Sequence, residues 1–145
     1  PEAWSPFFQG YPLLTAEEVR SHRDLLDELE AGGHFARWRE QEWWTPAWVP
    51  LLGDETMLLC LDLGAWGAGQ PGQIVSWTSD APERPVLAAS IADWLGLIVH
   101  GVLAGILVWD DEWGIHEPPD PDARLTALHR ALLPGYPKEL EARER

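Results

Sequence analysis

Apolar and polar positions along the chain fall into short runs, and each change of spacing between runs marks an element. Val19, Leu25, Leu26 and Leu29 form one stripe while Glu17, Glu18, Arg20, Asp24, Asp27 and Glu28 fill the rest of the surface, as an amphipathic surface helix requires. Thr15 with Glu18 supplies a capping box, and Leu14 with Val19 a hydrophobic staple. The helix is therefore predicted to open at Thr15, to run to about Glu30 and to stop at Ala31-Gly32-Gly33. Ahead of it, Pro1–Pro12 carries Trp4, Phe7, Phe8 and Tyr11 without either period and reads as a loop pinned by its aromatics. His34–Trp44 mixes Phe35 and Trp38 with Arg37, Arg39, Glu40 and Glu42 and reads as loop with at most a helical turn.

The centre of the chain changes to strand chemistry. Pro46 and Pro50 force extended backbone before each of them, and Trp48-Val49 is expected to begin a short strand. Gly53-Asp54-Glu55 joins it, as a hairpin, to a strand from Met57 to Leu63. That second strand is apolar on both faces, which places it inside a sheet. Gly64–Gly72 is a glycine-rich loop holding Trp66, and Gln73–Thr78 is a strand with Ile74 and either Val75 or Trp77 facing inward. After the polar turn Ser79–Pro85, Val86–Ala89 is short and apolar, and Ser90 with Asp93 forms a second capping pair. The helix that follows, Ile91 to about Ala104, is predicted to bury Ile91, Leu95, Ile98 and Val102. Ile106–Trp109 reads as a strand, closed by Asp110-Asp111-Glu112 and resumed from Trp113 to His116. Asp120-Pro121 is placed to open a last helix, with Leu125, Leu128 and Leu132 on one face, Pro134-Gly135 ending it and a loose tail over 134–145.

Composition alters this picture in two respects. The chain has 145 residues, enough for one domain with its own core, and a net charge of −14. The acid is concentrated in the middle: from Glu40 to Asp122 there are fourteen carboxylates and one base, Arg84. Such a surface repels phosphate backbones and anionic lipid and attracts basic partners. Ten tryptophans are more than the core of a small domain obviously needs, so some are expected at the surface.

Candidate chemistry is sparse. Cys60 is alone among apolar neighbours and is expected to be a buried, inert thiol suited to a reducing compartment. The five histidines are scattered, with no His-x-x-x-His pair, and no phosphate-cradling glycine loop or Gly-x-Ser-x-Gly motif is found; no cofactor and no enzyme activity are expected. Asp110-Asp111-Glu112 with His116 is the strongest candidate for a divalent cation, an acidic solvated turn being the preferred reading. Asp62 is expected to anchor the sheet, and His100, on an apolar helix, to be a satisfied core histidine. The run Ile91–Trp109 is interrupted by Asp93, His100 and three glycines, which favours a buried helix and strand over a membrane span.

The run Trp44-Thr45-Pro46-Ala47-Trp48-Val49-Pro50, then Gly53-Asp54, Leu59-Cys60-Leu61-Asp62-Leu63, Gly72-Gln73-Ile74-Val75 and Leu87–Leu95 resembles the SMI1/KNR4 family of the SUKH superfamily, over about residues 13–104. The resemblance implies an α+β domain, a mostly antiparallel sheet flanked by helices. It also implies an immunity protein that neutralises a secreted toxin, many such toxins being nucleases, or a regulator of cell-wall synthesis. Two features depart from the family. Its opening helix with a Leu-Pro motif is not found, so the first elements of the family are expected to be missing from residues 1–145, and the turn at Gly53-Asp54-Glu55 carries less glycine than the common form.

Together these readings give a cytoplasmic non-enzyme that occludes a basic protein toxin without touching nucleic acid or membrane, its oligomeric state left open. The expected partner-binding residues are Asp54, Glu55, Trp66, Asp110, Asp111, Glu112 and Trp113, all in turns or loops. The rival reading is an adaptor in cell-wall regulation, or a glycan binder stacking sugars on Trp66, Trp77 or Trp113.

Overall fold

The computed structural model describes residues 5–34, 44–66, 69–81 and 83–139. The expected loop at 35–43 therefore lies outside the described residues, as do Trp4 and the end of the tail. Five strands, β1 (Trp48–Gly53), β2 (Met57–Asp62), β3 (Gln73–Thr78), β4 (Pro85–Ala88) and β7 (Lys138–Glu139), form one sheet in that spatial order, every neighbouring pair antiparallel. A separate hairpin pairs β5 (Val108–Asp110) with β6 (Gly114–His116). Three helices, α1 (Ala16–Ala31), α2 (Ile91–Leu103) and α3 (Arg124–Leu132), complete an α+β fold with a flanked antiparallel sheet, as expected.

The period of two along β2 and β3 divides the core into two. On one face Leu58, Cys60, Val75 and Trp77 meet Leu26 of α1 together with Trp44, Trp48 and Trp66. On the other, Leu59 and Ile74 meet Trp94 and Ile98 of α2, with Phe7, Phe8, Leu125 and Leu133 packed around them. Both faces being covered, β2 is apolar almost throughout, and the choice left open for Val75 and Trp77 in β3 is answered: both are buried, on the face opposite Ile74. A register shift between Pro50 and Leu52 turns β1 over midway, so Trp48 joins the first cluster and Leu52 the second. Pro50 is tolerated because β1 lies at the sheet margin, where Leu14 and Gly53 bond across to Leu51 and Pro12.

Helix α1 begins as the sequence dictates. Thr15 Oγ1 accepts the Glu18 N–H at 3.2 Å, and the helix ends in a Schellman arrangement, His34 N–H to Leu29 O at 3.1 Å and Gly33 N–H to Glu30 O at 3.1 Å. Of its predicted stripe, Leu26 is buried and Leu25 is 51 % exposed. Trp44 Nε1 donates to Asp27 Oδ1 at 2.7 Å, tying the helix to the lead-in of β1.

Five expectations are corrected. Helix α2 buries Trp94, Leu97, Ile98 and Gly101, while Ile91, Leu95 and Val102 are exposed. The helix is apolar nearly all round, so its pattern could not select a face. Gly101 does: a Cβ there would strike the Leu107 side chain, and that close approach turns α2 toward the sheet. His100 consequently faces solvent rather than the core. Helix α3 opens at Arg124, not at Asp120-Pro121, because the Asp120 carboxylate takes the Asp122 N–H at 2.9 Å and the Arg124 Nε at 2.7 Å. The unpaired donor of Leu125 is met instead by Glu117 Oε2 at 2.8 Å. The strand expected from Ile106 begins at Val108, and the start of the tail is not loose: Lys138 and Glu139 pair with Val86 and Pro85. Among the described residues no helix is long and apolar enough to cross a membrane.

Asp62 is the anchor that the sequence suggested. It is wholly buried at the end of β2; its oxygens accept the N–H groups of Gly64 and Trp66 at 2.8 and 2.7 Å and the Gln73 Nε2 at 2.8 Å. Asp62→Ala strands buried donors, so urea denaturation is expected to show a loss of about 3 kcal/mol. A loss below about 1 kcal/mol would mean that water takes over the role.

Candidate functional site

The two acidic turns are built alike. In Asp54-Glu55-Thr56-Met57, Asp54 Oδ1 accepts the N–H of Thr56 at 2.8 Å and of Met57 at 3.1 Å, and the Thr56 hydroxyl at 2.7 Å. In Asp110-Asp111-Glu112-Trp113, Asp110 Oδ1 accepts the N–H of Glu112 at 2.9 Å and of Trp113 at 2.7 Å. In each, the leading aspartate is consumed in closing the turn, as short acceptor side chains do. The acids behind it, Glu55, Asp111 and Glu112, are exposed. The first turn also needs Gly53, whose φ of +136° and contact with the Met57 carbonyl leave no room for a side chain.

The fold brings the anchors of these turns to one end. Gly10 donates its N–H to Trp113 O at 2.9 Å, and Gly53 donates to Pro12 O at 3.2 Å. Only Gly10–Pro12 separates the two attachments, and three residues span at most roughly 10 Å. Phe8 continues the link: it bridges to Tyr11 and Ile115 and sets its ring edge-on to Trp94 at 5.7 Å.

The expected residues divide accordingly. Asp54 and Glu55 stand in one turn and Asp110, Asp111, Glu112 and Trp113 in the other, with Trp113 49 % exposed and its ring resting on Gly10. Trp66 is a different case. It was expected in an exposed loop, yet it is buried, edge-on to Trp48 at 5.9 Å, because Asp62 and Gln73 fasten the backbone around it. Trp77 is buried as well. Of the seven described tryptophans only Trp109 and Trp113 are exposed, both in the β5–β6 hairpin. The sequence reading missed Trp109, although its place beside the Asp110 turn was the available signal.

The sequence reading also missed what stands opposite the first turn. Helix α1 presents Glu17, Glu18, Ser21, His22 and Leu25 across a cleft of about 530 Å³ from Glu55. Pairing a helix with a distant turn is a tertiary fact with no local signature.

Arg84, the lone base of the middle segment, is buried. Its Nη1 donates to the carbonyls of Ala81 and Glu83 at 2.6 and 2.8 Å, and its guanidinium lies 5.8 Å from a Trp77 ring centroid. Burial pushes its pKa down to about 10, against the pull of Cys60, Glu83 and Glu139. From Trp44 to Asp122, therefore, every solvent-facing formal charge among the described residues is a carboxylate.

Cys60 is fully buried, and that burial drives its thiol pKa far up, with Arg84 opposing and Asp62 adding to the rise; a thiolate nucleophile is not available there. Asp110 Oδ2 and His116 Nε2 stand 3.3 Å apart. No group of three or more His, Cys, Asp or Glu side chains placed to hold a metal occurs among the described residues.

The Asp54 turn gives a pH signature. Burial raises the Asp54 pKa, but the hydrogen bonds from Thr56 and Met57, helped by the charge of His22, prevail and hold it below its ordinary 3.8. A carboxylate depressed by folding stabilises the fold above its unfolded pKa and loses that contribution as pH falls through the folded one. The stability advantage of the parent chain over Asp54→Asn is therefore expected to be full at neutral pH and to shrink only below about pH 4, as thermal unfolding at stepped pH will show.

Compared with known proteins, the chain matches no family model and no curated protein.

Proposed function

We propose that the chain is a cytoplasmic, non-enzymatic immunity protein of the kind that the SMI1/KNR4 resemblance implies. Its acidic end binds a basic secreted toxin, foremost a nuclease, and covers the toxin's active site. The observation that carries this reading is the pair of Asp-closed turns at one end of the fold, each holding exposed carboxylates in a fixed loop, on a surface without an exposed base from Trp44 to Asp122. Carboxylates held in this way stand where a nuclease expects phosphates. Field complementarity of this type accelerates encounter and rejects acidic partners. Trp113, rigid on Gly10 and half exposed, supplies the aromatic anchor that such interfaces concentrate their energy in.

The adaptor or glycan-binding reading is weakened by burial. Trp66 and Trp77 cannot serve as stacking platforms, and what favours it is the exposed pair Trp109 and Trp113.

The test is binding to a basic secreted nuclease toxin, at low and at high salt. The combined Glu55→Gln, Asp111→Asn and Glu112→Gln variant is expected to slow association roughly tenfold at low salt and to leave the melting temperature unchanged. Association that ignores both salt and the three substitutions defeats the electrostatic mechanism, and a large change in tryptophan fluorescence with cell-wall glycans but none with the toxin selects the rival.

A further inference from the structure

The cleft between α1 and the first acidic turn has two halves with different chemistry. Toward the start of α1 it is open and acidic: Glu17, Glu18 and Glu55 border it, with His22, and no Lys or Arg lines it. Toward the end of α1 it narrows into a cavity of about 150 Å³. Its walls there are Leu25, Leu26 and Leu29 of α1, and its floor is Leu58 and Trp77 of the sheet. His22, Leu25 and Glu55 border both halves, so the two are one continuous groove. The Leu25 side chain, 51 % exposed, stands where they meet.

Each half narrows the choice of occupant. A small cavity whose accessible walls are Leu25 and Leu29 gains most from a single apolar side chain. The acidic half would be left with unmatched charge by a neutral or acidic neighbour and is complemented by a basic one. One oxygen of Glu18 already accepts the Thr15 hydroxyl at 3.1 Å, whereas Glu55 makes no hydrogen bond or ion pair with any described residue. The positive end of the α1 dipole, about half a charge, opposes a cation there, but three carboxylates outweigh it.

We propose that this groove is a docking site for a protein segment in which an apolar side chain sits beside one or two lysines or arginines, the apolar group seated between Leu25 and Leu29, above the buried Leu58 and Trp77, and the cations held by Glu55, Glu18 and Glu17. The proposal rests on the reading that the partner is a basic protein, and it adds a separate contact to it: an apolar anchor at the α1 groove, beside the turn carboxylates. The groove is formed by α1 being held off the sheet at Leu25 while Leu26 packs into it.

The experiment uses the peptide Ac-Gly-Arg-Leu-Lys-Gly-amide, titrated into the isotopically labelled chain while the methyl signals of Leu25, Leu29 and Leu58 are followed. The expected result is saturable shifts at all three. Replacing the peptide's leucine by serine, or its Arg and Lys by glutamate, is expected to weaken binding at least about fivefold, in line with the loss of one buried apolar side chain or of a charge pair. Leu25→Arg in the chain places a cation at the junction of an exposed helical position, keeps the fold by circular dichroism, and is expected to abolish the shifts at Leu29 and Leu58. Glu55→Gln is expected to weaken them, and Asp111→Asn with Glu112→Gln to leave them unchanged. Absence of methyl shifts overturns the proposal, as does binding that is indifferent to Leu25→Arg or to loss of the peptide's leucine. The toxin separates the two readings: if it binds the Leu25→Arg chain as well as the parent but fails with the turn variant, the groove proposal falls and the proposed function stands. If the peptide binds as expected and the toxin does not bind at all, the groove stands and the proposed function falls.

Discussion

Four indole rings in edge-on contact form the centre of the core on one face of the sheet. Trp44 meets Trp48 at 5.7 Å and Trp77 at 6.1 Å, and Trp48 meets Trp66 at 5.9 Å. They come from the lead-in to β1, from β1 itself, from the loop after β2 and from β3, so the cluster ties the lead-in and the loop to strands that the backbone ladder already pairs. Contacts of this kind contribute about 0.5–1.5 kcal/mol each beyond their area, but their larger effect is positional. Trp44 carries α1 with it through Asp27, and Trp77 is the floor on which the groove beside α1 rests. Displacing one indole would move the helix, and the acidic rim of the groove with it.

The polar framework divides the acids by task. Asp62, Asp54, Asp110, Asp120 and Glu117 spend carboxylate oxygens on backbone donors, closing loops and supplying the missing cap of α3. Glu55, Asp111 and Glu112 stand next to such residues, on backbone that those bonds have already ordered. A cation of the proposed partner would meet them without having to order the loop itself, which removes part of the entropy cost that binding usually carries. The high acid content is therefore not uniform: one set builds and the other is displayed.

What could be read in advance follows the range of the interaction responsible. Thr15 with Glu18, Ser90 with Asp93 and Gly53-Asp54 are local devices, and all appear where the sequence puts them. The apolar run Met57–Leu63 was legible as an interior strand because a strand covered on both faces leaves that pattern. The face of α2 was not legible, since leucine, isoleucine and valine surround the helix and the choice fell to a contact between Gly101 and Leu107. Trp66 was misread for a related reason: glycines around it suggested an open loop, and the Asp62–Gln73 pair that closes the loop onto the sheet is a contact across strands. The pairing of Lys138 with Val86 likewise depends on where the chain returns after α3. At the candidate site the turn acids were legible one by one, whereas their common end and the groove opposite Glu55 were tertiary outcomes.

The margins of the main sheet carry a consequence for how such a protein can change. One margin has a proline and the crossing strand of Leu13–Leu14, and the other ends in a strand of two charged residues. Among the described residues neither offers the long row of open backbone donors and acceptors on which a foreign strand could extend the sheet. The proposed partner would then read side chains at the turns and the groove, not backbone at an edge. Replacing a handful of residues in loops of fixed shape would then suffice to redirect recognition toward a different partner, while the sheet that supports them goes on folding as before.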